Sequence, residues 1–208
     1  MSKTTNEPSQ PRQQRAIETY ERLLRVTGEL LGECGFEGIT TNLIAERAGV
    51  TPPTLYRYFK DKYDVMTALS KRLMDVQDAL LETIGESMAS DPDFVFSRQV
   101  LQDLLMETVA VTENLVGGVW VMKCLRTVPK LNHIRTGSHE EMTEALTKAA
   151  LVMNEGLLEE NVRRHTQLSI ELGYAAVEMV LDDPTLDREL ILKETAMAIE
   201  AFNDAIHP

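Results

Sequence analysis

One short segment, residues 40–62, constrains the fold of this chain more than any other part of its sequence. It reads TTNLIAERAGVTPPTLYRYFKDK. Thr41 is placed to cap a short helix, and Gly49 stands where a left-handed residue ends one. Thr51 can cap a second helix whose first turn holds Pro52, which suits that position because proline has no N–H to leave unpaired. The segment therefore predicts two short helices joined by a tight turn.

The apolar residues of this segment are spaced to pack the two helices together, and its polar residues are expected to point outward. The predicted inner residues are Leu43, Ile44, Ala48, Val50, Leu55 and Phe59; the predicted outer ones are Tyr56, Arg57, Tyr58, Lys60 and Lys62. A glycine-containing turn of about four residues between short helices is the helix-turn-helix pattern, whose second helix enters the DNA major groove. An ordinary pair of core helices is the alternative, because such a turn alone is weak evidence.

Two long amphipathic helices are predicted on either side of the segment. The first covers residues 12–34 and ends at Gly35, and the second begins at Asp61 and runs to about residue 84. Together with these flanking helices, residues 15–70 resemble the N-terminal domain of TetR (tetracycline-repressor-like) transcriptional regulators. The matching residues are Gly35-Phe36, Thr40-Thr41, Ile44-Ala45, Ala48-Gly49-Val50 and the run TLYRYFKDK over 54–62.

The resemblance implies the organisation of the whole chain, although it covers only about a quarter of it. We expect an all-α protein with an N-terminal three-helix helix-turn-helix domain and a larger C-terminal helical domain for ligand binding and dimerisation. The expected divisions are a flexible arm at 1–11, a DNA-binding domain at 12–60, and an effector-binding and dimerisation domain at 61–208.

The charge distribution fits this division. The net charge is −12, yet residues 1–65 carry nine basic and nine acidic side chains, so the whole negative excess lies after residue 65. Since salt screens charges beyond about 8–10 Å, the local balance matters more to DNA than the distant total. The candidate DNA contacts are Arg12, Arg15, Thr41, Pro53, Thr54, Tyr56, Arg57, Tyr58 and Lys62. Among them Arg57 suits guanine O6 and N7, and Lys62 suits a phosphate.

Residues 85–208 predict further helices and no strand, since apolar alternation of period two is absent. Gly85 to Pro92 predict a connection, after which Asp91 or Asp93 opens a helix that includes Phe94 and Val95. The nearly apolar segment 113–128, around Trp120, is expected inside. A break at Gly137-Ser138 precedes a helix over 139–158, and helices over 162–181 and 186–206 follow.

The last two predicted helices have apolar faces wider than one neighbour requires. A fully internal hairpin would explain them, but the resemblance implies a homodimer built from these helices. The expected interface residues are Leu168, Leu172, Ala175, Ala176, Met179, Ala198, Ala201 and Phe202.

A ligand cavity in the larger domain is likewise implied by the resemblance, and an apolar stripe that is simply core is the alternative. We expect a small, mainly apolar effector, because the candidate wall residues are aromatic residues and adaptable methionines. They are Met66, Phe94, Phe96, Met106, Trp120, Met122 and Met153. His133 and His139 lie near the predicted break, where exposed or helix-capping histidines are the rule.

Catalysis, cofactors and metals find no support in the sequence. It has no GxSxG, HExxH or phosphate-binding glycine loop, no Glu-x-x-His pair, and only two widely separated cysteines. It also has no 18-residue apolar run and no signal-peptide pattern, which predicts a cytoplasmic location. The expected function is a ligand-responsive regulator, a repressor released from a palindromic double-stranded operator; the alternative is an all-α small-molecule-binding protein or enzyme without a DNA-binding role.

Overall fold

A computed structural model describes residues 12–91, 94–153 and 156–205, excluding the side chain of Arg12, and these residues form helices joined by turns and loops, with no strand. The all-α prediction is confirmed. The described helices are α1 Arg12–Gly38, α2 Thr41–Arg47, α3 Pro52–Tyr56, α4 Lys62–Ser90, α5 Arg98–Asn114, α6 Gly118–Thr127, α7 Asn132–Met153, α8 Glu159–Asp182 and α9 Arg188–Asp204.

Helices α1 to α3 form the N-terminal head. Gly35 interrupts α1 with a left-handed φ of 66°, as its position predicted, although helical turns resume as far as Gly38. The cap of α2 differs from the prediction by one residue: the Thr40 hydroxyl, not that of Thr41, accepts the N–H of Leu43. Thr41 is instead the first residue of the helix, which frees its hydroxyl for another partner.

Helix α4 joins the head to the larger domain. Asp61 caps it as predicted by accepting the N–H of Asp64. The helix continues to Ser90, so the predicted connection beginning at Gly85 is wrong. Gly85 lies on the packed side of the helix, where an added Cβ would be 3.3 Å from the side chain of Leu146. Packing against α7 therefore outweighs the cost of about 1 kcal/mol that glycine imposes on a helix.

Two further helix boundaries differ from the predictions. Ser97, rather than Asp91, caps α5, so Phe94 and Val95 precede the helix; Asp93 lies outside the described residues. Helix α7 runs without a break through Gly137-Ser138. Ser138 is buried there, and its hydroxyl donates to the carboxylate of Asp78 on α4 at 2.8 Å, a contact that favours the continuous helix.

The larger domain is built from α4 to α9, with α5 packed on α9 and α4 and with α6 facing α1 of the head. Helix α4 lies along α7, α8 packs on both α7 and α9, and α1 rests on α4 and α6. One hydrophobic cluster is continuous from Leu23 of α1 through Leu69 of α4 to Ile199 of α9. The head and the larger domain therefore share a core.

In the described part of the chain, no single helix is long and apolar enough to cross a bilayer. The one helix pair that meets the length and composition criteria together, α5 with α6, is bent by 102°.

Candidate DNA-binding surface and ligand cavity

The α2–α3 unit has the geometry of a helix-turn-helix. Gly49 adopts a left-handed φ of 65° in the turn, and Pro52 occupies the first turn of α3 after the Thr51 cap. Ile44 of α2 and Leu55 of α3 are fully buried. These local signals were readable in the sequence because each depends on the conformation of one or two residues.

One face of α3 is left at the surface. Pro53 and Arg57 are exposed, Tyr56 is 52% exposed, and Thr54 is half-buried. The hydroxyl of Tyr56 lies 2.9 Å from that of Thr41 at the start of α2. Five predicted contact residues therefore lie together on one surface of the head.

The described cations of the head fall into two groups: some are already paired with an acidic side chain, and others remain available to contact a phosphate or a base. Arg47 makes a two-fold hydrogen bond to Glu33, at 2.7 and 2.8 Å, and Arg25 is paired with Glu29. Within the described residues of the head, the side chains of four exposed cations have neither an ion pair nor a hydrogen bond: Arg15, Arg22, Arg57 and Lys60. Arg22 and Lys60 were not among the predicted contact residues, because exposed cations look alike in a sequence until their acidic neighbours are known.

Two predicted outward residues are turned toward the protein. Tyr58 is half-buried, and its ring lies 6.3 Å from that of Tyr20, which also stacks on Phe59 at 5.3 Å. Lys62 donates from Nζ to the carbonyl oxygen of Phe36 at 3.2 Å, and its Nζ lies 4.3 Å from the centre of the Phe36 ring. The expectation that these two side chains point outward is wrong, because aromatic neighbours from α1 cover them. The side chain of Arg12 lies outside the described residues.

The larger domain contains a cavity of about 370 Å³ between α4, α5, α7, α8 and α9. This volume is in the range of small-molecule sites. Three predicted wall residues line it: Phe94, Phe96 and Met153.

The other four predicted wall residues lie elsewhere. Met66 and Met122 are buried in the core outside this cavity, and Met106 is exposed. Trp120 is 43% exposed, which corrects the prediction that it lies inside; its indole lies over Gly32 and under the ammonium of Lys123. Periodicity could not separate these positions, because core and cavity residues share the same apolar character.

Several polar residues that were not predicted as wall residues also line the cavity. Gln77 and Asp78 come from α4, His139 from α7 and Tyr174 from α8. The expectation for His139 is wrong: it is 6% exposed, and its Nδ1 lies 2.9 Å from Glu171 Oε1. No signal in the sequence distinguished these residues from ordinary helix-surface residues.

Burial controls the ionisation of the cavity residues. It raises the pKa of the Asp78 carboxyl to about 6, with a smaller opposing effect from the Ser138 hydrogen bond. Burial also lowers the pKa of His139, against its contact with Glu171, and raises the pKa of Tyr174. At neutral pH the cavity therefore contains a neutral imidazole, a neutral phenol and a largely ionised carboxyl group.

An apolar face on α8 and α9 is left exposed. Large exposed side chains on it are Leu168, Leu172, Met179, Leu190, Met197 and Phe202, and Ala175, Ala198 and Ala201 are exposed small residues. Ala176 is only 7% exposed within the single chain, so it does not lie on this face as predicted. In the described residues, no group of three or more His, Cys, Asp or Glu side chains could hold a metal ion.

The head of this chain is similar in sequence to known proteins. Residues 23–69 match the family model described as bacterial regulatory proteins, tetR family. The chain is 41% identical over 56 residues to the tetracycline repressor protein class C of Escherichia coli. The aligned region covers 27% of this chain and 26% of that protein. It is 38% identical over 92 residues to an HTH-type transcriptional regulator of Staphylococcus aureus strain USA300. Here the aligned region covers 44% of this chain and 48% of that protein. The chain thus spans from about a quarter to about half the length of these relatives.

Comparison with solved structures extends the match to the whole fold. A transcriptional regulator from Rhodococcus sp. Rha1 gives a TM-score of 0.67 at 19% identity, covering 89% of this chain and 96% of that one. A TetR-family transcriptional regulator from Streptomyces coelicolor gives 0.61 at 22% identity, covering 90% and 99%. These structures show a shared fold, and the sequence matches in the head confirm the resemblance to TetR-family regulators. The matched proteins are regulators, in agreement with the expectation that the chain is not an enzyme.

Proposed function

We propose that the chain is a ligand-responsive transcriptional regulator that binds a palindromic DNA operator as a homodimer and acts as a repressor. The observation that carries the proposal is the helix-turn-helix unit with an exposed, unpaired Arg57 directly after the last residue of α3, in a segment that matches the tetR family model. The domain divisions 12–60 and 61–208 belong to this proposal; the arm at 1–11 lies outside the described residues.

On the DNA side, α3 enters the major groove and Arg57 reads a base edge. Its guanidinium can donate two parallel hydrogen bonds to guanine O6 and N7. Tyr56 and Thr41, joined through their hydroxyls, contact the backbone and fix the orientation of the head. The unpaired Arg15 and Lys60 neutralise phosphates, which makes the affinity fall as salt rises.

On the dimer side, the exposed apolar face of α8 and α9 supports a two-fold interface. Leu172 and Met179 of α8 and Met197 of α9 are all more than two-fifths exposed, and contiguous apolar surface of this kind marks interaction sites. A two-fold dimer presents two α3 helices, which would read half-sites about one DNA turn, roughly 34–36 Å, or a multiple of it apart. Repression follows because occupancy of an operator by such a dimer blocks access to the promoter.

Ligand control runs through α4. Its first half, with Met66 and Leu69, belongs to the core shared with the head, and its second half, from Gln77 to Met88, lines the cavity. A ligand that fits the cavity better in one orientation of α4 shifts the protein toward that orientation. The expected coupling between ligand and DNA is about 1–3 kcal/mol.

Selection from a random-sequence duplex library tests the DNA-binding function. We expect enrichment of a palindrome, with tight binding that weakens as salt is raised. Arg57→Ala should weaken binding to the selected operator by about 1–3 kcal/mol and relax the preference at one position of each half-site. The control is Arg25→Ala, which removes another exposed arginine of the head that is already paired with Glu29.

The alternative function, a small-molecule-binding protein or enzyme without a DNA role, predicts a different result. It would give no enriched sequence and the same weak retardation for every duplex. Equal affinity and selectivity of the Arg57 variant and the wild type would reject Arg57 as the base-reading residue, even if an operator is found.

A further inference from the structure

The cavity has a polar end formed by α4, α7 and α8 and a mainly apolar wall elsewhere, with a second polar group on α8 and α9 made of Thr166, Ser169, Asn203 and Asp204. Asp78 accepts the hydroxyl of Ser138 at 2.8 Å, and the His139 ring lies 4.4 Å from the Tyr174 ring, so residues of α4, α7 and α8 meet at this end. Along α4 the lining runs from Gln77 to Met88, a length of roughly 16 Å at 1.5 Å per residue. The rest of the wall is mostly aliphatic and aromatic: Leu81, Phe94, Phe96, Leu104, Met142 and Ile170.

Three side-chain atoms of the described cavity wall are buried without a hydrogen-bond partner: Gln77 Oε1 and His139 Nε2, which are acceptors, and the Tyr174 hydroxyl, which can donate or accept. Gln77 is 5% exposed; its amide nitrogen donates to Thr112 at 2.7 Å, and its Oε1 has no hydrogen bond. The Nε2 atom of His139 is also unpaired. Since the Glu171 carboxylate at 2.9 Å from Nδ1 can only accept, the proton of the neutral ring lies on Nδ1 and Nε2 is an acceptor. Unpaired buried acceptors are costly, and a ligand donor would satisfy them.

The charge at this end is negative. Asp78 has no cationic partner within the described chain, and its remaining neighbours Asp75, Glu82 and Glu141 carry the same charge. The guanidinium of Arg135 lies 5.9 Å from the centre of the Tyr174 ring. Arg135 is paired with Glu171 and does not line the cavity.

We propose that the cavity binds an elongated apolar molecule whose polar head is a protonated amine, and that this molecule is the effector of the function proposed above. A primary ammonium group has three donors and no acceptor, which complements Gln77 Oε1, His139 Nε2 and the Asp78 carboxylate. A carboxylate head could accept from the Tyr174 hydroxyl, but it would bring a like charge to Asp78 and further acceptors to Gln77 Oε1 and His139 Nε2. The apolar remainder of the wall accommodates the hydrocarbon body.

Three molecules with the same chain and different heads test this assignment in the absence of DNA: decylamine, decan-1-ol and decanoate. Binding to the full-length protein is measured by calorimetry below the aggregation concentration of each probe. Decylamine should bind at least about tenfold more tightly than decanoate, the equivalent of one charge-assisted hydrogen bond, and decan-1-ol should lie between them.

Asp78→Asn should weaken decylamine by about tenfold and change decan-1-ol by no more than about twofold, since the amide oxygen can still accept from Ser138. The matched control is Asp75→Asn, which removes an exposed charge from the same helix outside the cavity wall. Gln77→Met, which keeps the length of the side chain and removes the unpaired acceptor, should also weaken decylamine.

Equal or tighter binding of decanoate, absence of binding by all three probes, or an equal loss of decylamine affinity in the Asp78 and Asp75 variants would overturn the assignment. The DNA selection described above is independent of these measurements. If the protein prefers the amine but selects no operator, the regulatory function is rejected and the proposed ligand class stands. If it selects an operator but shows no preference for the amine, the ligand class is rejected and the regulatory function stands.

Discussion

Two glycines allow the backbones of the head and the larger domain to approach closely, and this contact gives a sharp test of the fold. Gly28 of α1 faces the turn between α5 and α6, where a Cβ added to it would lie 2.2 Å from the carbonyl oxygen of Val116 and 2.8 Å from its carbon. Gly117 faces back, with a left-handed φ of 77° and an added Cβ only 2.5 Å from Gly28 Cα. We predict that Gly28→Ala separates α1 from this turn and destabilises the protein.

The magnitude follows from two opposing effects. Ordinary carbon–oxygen contacts are about 3.3 Å or longer, so the backbone must shift by about 1 Å, and such overpacking costs about 1–3 kcal/mol. Replacing glycine by alanine in a helix returns up to about 1 kcal/mol. Because the obstructing atoms belong to the backbone and cannot rotate away, Gly28→Ala should lower the free energy of unfolding by about 1–2 kcal/mol.

Gly32→Ala is the matched control, one turn further along α1. Its added Cβ would be 3.3 Å from Trp120 Nε1, the end of an exposed side chain that can move aside. This variant should gain up to about 1 kcal/mol from helix propensity. The two variants should therefore differ by about 2 kcal/mol, or about 4–8 °C in Tm for a chain of this size, measured at equal protein concentration. If Gly28→Ala is as stable as Gly32→Ala, the proposed close contact does not exist.

Three further predictions concern the interface, the cavity and the head. Met179→Glu should convert a dimer to a folded monomer in sedimentation, whereas Val152→Glu, at an exposed apolar site on α7, should not; dimers in both variants would contradict the interface. Burial raises the pKa of Asp78 from 3.8 to about 6, because the ionised carboxyl is less favourable inside the protein than in water. Ionisation of Asp78 therefore lowers the free energy of unfolding progressively as the pH rises from 3.8 to about 6, and by a constant amount at higher pH. Asp78→Asn should then stabilise the protein by about 1 kcal/mol near pH 7.5, after allowance for partial solvent exposure, and by almost nothing near pH 4; equal gains in denaturant titrations at both pH values would refute this cause. Lys60→Ala should reduce the salt slope of DNA binding by about 1 with little change in Tm, whereas Lys62→Ala should lower Tm because its ammonium is held against Phe36.

The helix-turn-helix could be predicted from the sequence because its signals are local. Gly49 provides the left-handed turn, Pro52 the first turn of α3 and Asp61 the cap of α4, and each depends on the chemistry of one or two neighbouring residues. The cap of α2 was assigned one residue too late, since Thr40 and Thr41 are equally able to cap. The family resemblance rests on this same segment, which is why the head was predicted in more detail than the rest.

The larger domain was predicted only as a set of apolar helices, because burial there is decided by neighbours distant in sequence. Gly137-Ser138 looked like a break, yet Asp78, 60 residues away, accepts the Ser138 hydroxyl and the helix continues. Trp120 looked like a core residue and lies exposed over Gly32. An apolar pattern states that a side chain prefers burial; it does not state which face of which helix will cover it.

The sequence by itself determined the helix-turn-helix head, the all-α class and the segregation of negative charge into the larger domain. Only the tertiary structure decided where the cavity lies and which polar groups enter it. Gln77, His139 and Tyr174 are far apart along the chain and unremarkable in composition, and they meet because α4, α7 and α8 pack side by side. The physical reason is that helix caps and turns are set by short-range backbone chemistry, whereas a cavity is the space that several distant helices together leave unfilled.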